Sequence, residues 1–175
     1  MKNTNYFLTI ILLLNTLFSF SQSEKESIND SWKFIREDIS VVENLDYDDL
    51  SWQKVNLPHT WNAIDAYTSR QYYRGVGWYC KSLNLKNKYA NKKLFINFEG
   101  AFLKADVYVN GKLVGQHKGG YTAFTFDISE YVTIPGKNTT AVKVDNSKKF
   151  DLPPISGDYT MFGGIYRDVY LVSTN

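Results

Sequence analysis

The sequence predicts an all-β fold, a sandwich or jelly roll, and three observations carry that prediction. Short runs of alternating apolar and polar residues recur along the chain, separated by clusters of Gly, Pro, Asn and Asp. No long segment with the 3.6-residue apolar period of an amphipathic helix follows residue 22. The chain is rich in aromatic side chains, with 13 Tyr and 11 Phe, and these suit a pleated surface. Its 175 residues suit one domain, and 43% hydrophobic content is ample for a core.

The first 21 residues stand apart from this pattern. Lys2 precedes an apolar run, Leu8–Leu14 with Leu17, Phe18 and Phe20, and Ser19-Phe20-Ser21 offers the spacing of small residues at a cleavage site. Asn15 and Thr16 interrupt the run and leave it short for a membrane span. Residues 1–21 therefore read as a secretory signal peptide, with an uncleaved N-terminal anchor as the alternative. On the first reading the mature chain is exported to the periplasm or the cell exterior and has no membrane attachment after cleavage. The polar stretch 22–29 reads as a short flexible leader, and 30–175 as the folded domain.

Within that domain Trp32 and Phe34 alternate with Lys33 and begin the first expected strand. Asp46–Trp52 reads as a turn with Trp52 packing inward. Val55–Asn62 is extended into Pro58, which biases Leu57 away from helix. Asn62–Tyr73 has no apolar period and reads as a loop. Gly77–Leu85 alternates, with Tyr79, Leu83 and Leu85 on one face and Trp78 and Cys80 on the other; Leu94, Ile96 and Phe98 alternate likewise. Asn110-Gly111 between two β runs is a strong hairpin signal, because both residues tolerate positive φ. Phe124-Thr125-Phe126 is a short strand, Asp127–Glu130 has acid spacing that suits the start of a single helical turn, and Ala141–Val144 is a further strand. Ile165, Tyr166, Val169, Tyr170, Leu171 and Val172 supply the last.

Charge and metal-ligand counts exclude several classes. Formal charge is +2, and without the first 21 residues, which hold only Lys2, it is +1. That balance argues against nucleic acid as a partner, which calls for a clustered basic patch; the four lysines of Lys86–Lys93 read as a solvated turn. One cysteine, Cys80, forbids an internal disulfide and a multi-cysteine zinc site, and His59 and His117 lie 58 positions apart. No nucleophile and base fall at the spacing of a known catalytic motif.

The stretch Ser156–Leu171 joins a polar, turn-like half to strand-forming residues. Asp158 has no basic residue within six positions on either side, and Gly163-Gly164 lets the backbone turn where side chains would clash. An acid on a loop anchored by a strand is a common way to build a binding site, although many loop acids are simply solvated.

Five motifs then occur in order: Leu57-Pro58-His59-Thr60-Trp61-Asn62, Tyr73–Tyr79, Val107–Gly115 around Asn110-Gly111, Gly119–Phe124, and Asp158 followed by Gly163–Val169. This series resembles the N-terminal sugar-binding domain of glycoside hydrolase family 2, the family of β-galactosidases, β-glucuronidases and β-mannosidases, over Trp32 to Val172 and is most like the β-galactosidases. The resemblance implies a jelly-roll β-sandwich, galactose-binding-domain-like, followed in intact enzymes by an immunoglobulin-like domain and a (β/α)₈ barrel. The barrel carries both glutamates of a retaining mechanism, so none of the catalytic residues is expected in this chain. It also implies that Asp158 reaches into the barrel's active site and accepts hydrogen bonds from sugar hydroxyls. In some β-galactosidases the acid that Asp158 matches also helps hold a sodium ion, a role that needs further ligands from the barrel, so no cofactor is expected within this chain. Asn62, Asp65 and Arg74 occupy a second loop the family can bring near the site, and serve either sugar binding or the loop's own hydrogen bonds. Tyr159 can stack on a sugar face; Trp61 and Trp78 suit packing better, and Arg167-Asp168 reads as a structural pair. Three roles stay open: the first domain of an exported β-glycosidase, a free-standing carbohydrate-binding module, or a structural interaction domain.

Overall fold

The computed structural model describes residues 23–39, 51–68, 72–148, 152 and 160–175. Among the described residues ten strands form two antiparallel sheets. The strands are β1 (Glu24–Ser27), β2 (Trp32–Ile35), β3 (Gln53–Val55), β4 (Val76–Leu85), β5 (Lys93–Phe98), β6 (Lys104–Val109), β7 (Lys112–Lys118), β8 (Phe124–Asp127), β9 (Gly136–Asp145) and β10 (Val169–Thr174). One sheet runs β1-β10-β5-β8 and the other β3-β2-β4-β9-β6-β7. The period-2 rule explains the layering. Trp32 and Phe34, Tyr79, Leu83 and Leu85, Leu94, Ile96 and Phe98, Ala105, Val107 and Val109, Val142 and Val144, and Val169 and Leu171 all point between the sheets into one core. Leu94, Ile96 and Phe98 are 0% exposed, and burial of each such side chain stabilises the fold by about 1.5–3 kcal/mol.

The opposite face of β4 is also apolar. Val76 and Trp78 pack with Trp52 and Ala141 into a second cluster, with Tyr108 and Cys80 against it. Trp52 is thus buried as its sequence setting suggests, while the 46–50 part of the expected turn lies outside the described residues. The β6–β7 hairpin turns at Asn110 (φ 49°) and Gly111 (φ 76°), both in the left-handed region that Asn-Gly favours.

Four local expectations differ from the structure. The stretch 22–29 holds a strand where a flexible leader is expected: Glu24–Ser27 pairs antiparallel with Ser173–Tyr170 of β10. Its side chains are exposed, so backbone pairing to an open sheet edge holds it, helped by Lys88–Glu26, Lys92–Glu24 and Lys25–Glu99 ion pairs at 3.1, 3.4 and 3.2 Å. Two lysines of the expected solvated turn therefore face β1. Asp127–Glu130 forms a hydrogen-bonded turn that does not continue as a helix: the Asp127 carboxylate accepts the Ser129 N–H at 2.9 Å and Tyr131 N donates to Ile128 O at 3.0 Å. The Asn62–Tyr73 loop contains one helical turn, α1 (Asp65–Thr68). Asp168 accepts from Asn29 Nδ2 at 2.8 Å and from the Tyr170 hydroxyl at 3.1 Å, while Arg167 lies over the Tyr166 ring.

Candidate functional site

The end of the sandwich where β4 begins and β9 ends is built from loops. There Val76 pairs with Asp145, and the chain enters β10 through Met161–Asp168. His59–Trp61 lies beside Gly163–Ile165: His59 N donates to Ile165 O at 2.8 Å, Trp61 N to Gly163 O at 3.3 Å, and Thr60 Oγ1 to Gly163 O at 2.7 Å. Gly164 has φ +130°, and a Cβ there would stand 2.4 Å from His59 O, so only glycine lets the two segments approach. Trp61 stacks on Phe34 with centroids 5.8 Å apart and wedges between Gly77 and Gly163; Cβ atoms there would stand 2.7 and 2.1 Å from its ring. Trp61 and Trp78 are thus packing residues, 7% and 3% exposed.

Two asparagines connect the loops. Asn62 is 0% exposed. Its amide nitrogen donates to Asp65 Oδ1 at 3.0 Å and Tyr73 O at 2.9 Å. Its amide oxygen accepts from Gly163 N at 2.8 Å and Asn146 Nδ2 at 3.3 Å. An amide side chain has two donors and two lone pairs, so Asn62 is saturated inside the protein and has nothing left for a sugar. Asp65 is turned the same way: its second oxygen accepts from Tyr73 N at 3.1 Å and lies 3.4 Å from Arg36 Nη1. Arg74 differs. Its Nε donates to Asn146 O at 2.9 Å, and its terminal guanidinium nitrogens have no hydrogen-bond partner among the described residues. Among the described residues the terminal nitrogens of Arg74 thus keep hydrogen-bonding capacity to offer a ligand, while Asp65 has spent most of its own. Asp158 and Tyr159 lie outside the described residues; Met161, three positions beyond Asp158, is described and firmly held.

The sequence gives no hint of Asn146, a lone asparagine at a strand end that looks like any turn residue. It is 0% exposed. Its amide nitrogen donates to Met161 O at 2.9 Å and to Asn62, and its amide oxygen accepts Gly75 N at 2.8 Å. Beside this network a groove of about 690 Å³ is lined by Phe34, Arg36, His59, Thr60, Trp61 and Asp65 among others. His59 Nδ1 lies 2.8 Å from the Tyr79 hydroxyl. Burial holds the Tyr79 phenol far above its ordinary value and the His59 imidazole below its own. A protonated phenol and a neutral imidazole therefore share this hydrogen bond, its direction set by the imidazole tautomer, and His59 is a satisfied loop residue. Among the described residues no three His, Cys, Asp or Glu side chains converge as a metal site.

The fold and this loop-built end define a jelly-roll β-sandwich domain. The description "Glycosyl hydrolases family 2, sugar binding domain" matches residues 11–175, and the chain belongs to that family. A β-galactosidase of Thermoanaerobacter pseudethanolicus is 42% identical over 153 residues, covering 85% of this chain and 21% of that protein. A β-glucuronidase of Bacteroides fragilis is 38% identical over 167 residues, covering 95% of this chain and 23% of that protein. The solved structure of Bacteroides uniformis β-glucuronidase 2, covalently bound to cyclophellitol-6-carboxylate aziridine, is 46% identical with a TM-score of 0.83, covering 87% of this chain and 18% of that one. The chain thus spans about a fifth of the length of the curated relatives it matches.

Proposed function

We propose that this chain is the N-terminal sugar-binding domain of an exported retaining β-glycosidase that hydrolyses β-galactosides or β-glucuronides. An immunoglobulin-like domain and a barrel elsewhere in the longer protein supply the catalytic glutamates, and this domain supplies Asp158 to the rim of the active site. A carboxylate suits that position because its two oxygens accept from neighbouring sugar hydroxyls, in charge-assisted bonds stronger than neutral ones. Tyr159 offers a ring to the sugar's C–H face, and Arg74 offers its terminal nitrogens. No cofactor is bound by this domain. Export rests on the apolar segment ahead of Ser19-Phe20-Ser21. The observation that carries the reading is the anchoring of Met161 and Gly163, just beyond Asp158, by buried side chains of two other loops, in a chain that belongs to this family.

The test is to extend the reading frame past codon 175 and express the whole protein. Hydrolysis of 4-nitrophenyl β-D-galactoside or β-D-glucuronide with retained anomeric configuration is expected. Asp158→Ala is expected to lower kcat/KM by roughly 2–4 kcal/mol, since its bonds tighten in the transition state. Wild-type kinetics in that variant, or a stop codon directly after Asn175, would overturn the reading. Sugar calorimetry on the 175-residue chain then separates a free-standing carbohydrate-binding module from a structural domain.

A further inference from the structure

We propose that Asn62 and Asn146 form a crossed amide pair whose role is to position the sugar-contacting loop, by fixing the two residues through which that loop rejoins the sandwich. The inference rests on the reading of Asp158 given above. Met161 and Gly163 have four polar backbone groups between them, and every one is taken. Met161 N donates to the Tyr72 hydroxyl at 3.0 Å, and Met161 O accepts from Asn146 Nδ2 at 2.9 Å. Gly163 N donates to Asn62 Oδ1 at 2.8 Å, and Gly163 O accepts from Thr60 Oγ1 at 2.7 Å and from Trp61 N. A one-residue slip would leave several of these groups buried and unpaired, each at a cost far above that of a solvated turn.

The two amides are also oriented without ambiguity. The Gly163 N–H can meet only the oxygen of Asn62, and Tyr73 O only its nitrogen. The link at 3.3 Å from Asn146 Nδ2 to Asn62 Oδ1 then joins the pair, so a shift in one displaces the other. Gly75 N on Asn146 Oδ1 and Arg74 Nε on Asn146 O brace the far side against the start of β4. A carboxylate cannot replace either amide, since it would put oxygen against Met161 O or Tyr73 O. Neither asparagine reaches the surface, so both act through the loop they hold and are positioning residues.

A double-mutant cycle on kcat/KM in the full-length enzyme tests this. With Asp158 present, Asn146→Ala is expected to lower kcat/KM about 10- to 100-fold, the scale of a displacement near 1 Å in a positioning group. In the Asp158→Ala background the same change is expected to cost less than about 2-fold. Equal losses in both backgrounds would show a general structural role and overturn the positioning role alone. Full activity in Asn146→Ala would overturn it as well. A silent Asp158→Ala would sink the substrate role of Asp158, and the positioning role with it. Tyr72→Phe, which removes only the acceptor of Met161 N, is the milder second variant should Asn146→Ala fail to fold. It is expected to lower kcat/KM about 3- to 10-fold with the same loss of effect in the Asp158→Ala background, and additive behaviour there would equally refute the proposal.

Discussion

Replacing Gly163 by alanine adds one carbon at the most crowded point of the loop-built end. The new Cβ would stand 2.1 Å from Trp61 Cζ2, 2.4 Å from Trp61 Cε2 and 2.6 Å from Asn146 Nδ2. None of these atoms can swing away cheaply. Trp61 is held between Phe34 and Gly77, and the Asn146 amide is fixed by Met161 O, Asn62 and Gly75 N. Overpacking a rigid site costs about 1–3 kcal/mol, and displacing the Asn146 amide leaves a buried polar group unpaired for about 1–3 kcal/mol more. The expected loss is therefore about 2–6 kcal/mol, a large part of the roughly 5–15 kcal/mol that holds a domain folded. At about 2–4 °C per kcal/mol for a domain of this size, the melting temperature should fall by about 4–24 °C. Urea and thermal unfolding followed by circular dichroism measure this. Gly136→Ala is the control: its new Cβ would meet the Thr133 methyl at 3.1 Å and Thr133 O at 3.3 Å, which a shift of a few tenths of an ångström relieves, and the cost should stay within about 1–1.5 kcal/mol. A Gly163→Ala variant within about 1 kcal/mol of wild type would show that Trp61 and Asn146 give way, and would refute the argument from a rigid wedge.

Acid should weaken the fold through its histidines. Burial holds both His59 and His117 below the ordinary value of 6.5, so the unfolded chain takes up more protons as pH falls past that point. The stabilisation is fully present above pH 6.5 and declines below it until the folded-state values are passed. Melting temperature measured from pH 8 to 5 should show this slope, and a slope that is the same in His59→Gln would refute the His59 share. Asn110→Ala should cost about 2–4 kcal/mol in urea unfolding, because it removes three side-chain bonds and places alanine in the left-handed region. Those bonds are Asn110 Nδ2 to Tyr131 O at 2.7 Å and to Asn138 Oδ1 at 2.8 Å, and Thr139 N to Asn110 Oδ1 at 2.9 Å. A loss under about 1 kcal/mol would show that the hairpin turn is held by its strands alone.

Features with a local cause were legible in the sequence. The alternation of Leu94, Ile96 and Phe98 names the inner face of β5 because side chains on a strand change face at every residue. Asn110-Gly111 names its own turn for an equally local reason. Features whose cause lies elsewhere in the chain were not legible. Glu24–Ser27 is polar enough to suit a solvated leader, and it is a strand only because β10 leaves an edge open and Lys88 and Lys92 stand opposite its acids. Asn62 and Asp65 look like ligand-binding residues in the sequence, and the fold engages them in hydrogen bonds of its own, because a polar loop side chain offers its bonds to whatever the fold brings near.

The sequence by itself determined that this chain is a two-sheet sandwich, where its main hairpin turns, and that its ordered motifs resemble those of family 2 sugar-binding domains. Those properties are set by side-chain period, backbone φ preference and motif order, all of which can be read along the chain. Only the tertiary structure decided which polar groups remain free. Asn62 meets two of its partners 84 and 101 positions away and is saturated with them and its loop neighbours, whereas the terminal nitrogens of Arg74 have no partner among the described residues. Hydrogen-bond capacity is finite, and how it is spent depends on neighbours that only folding supplies.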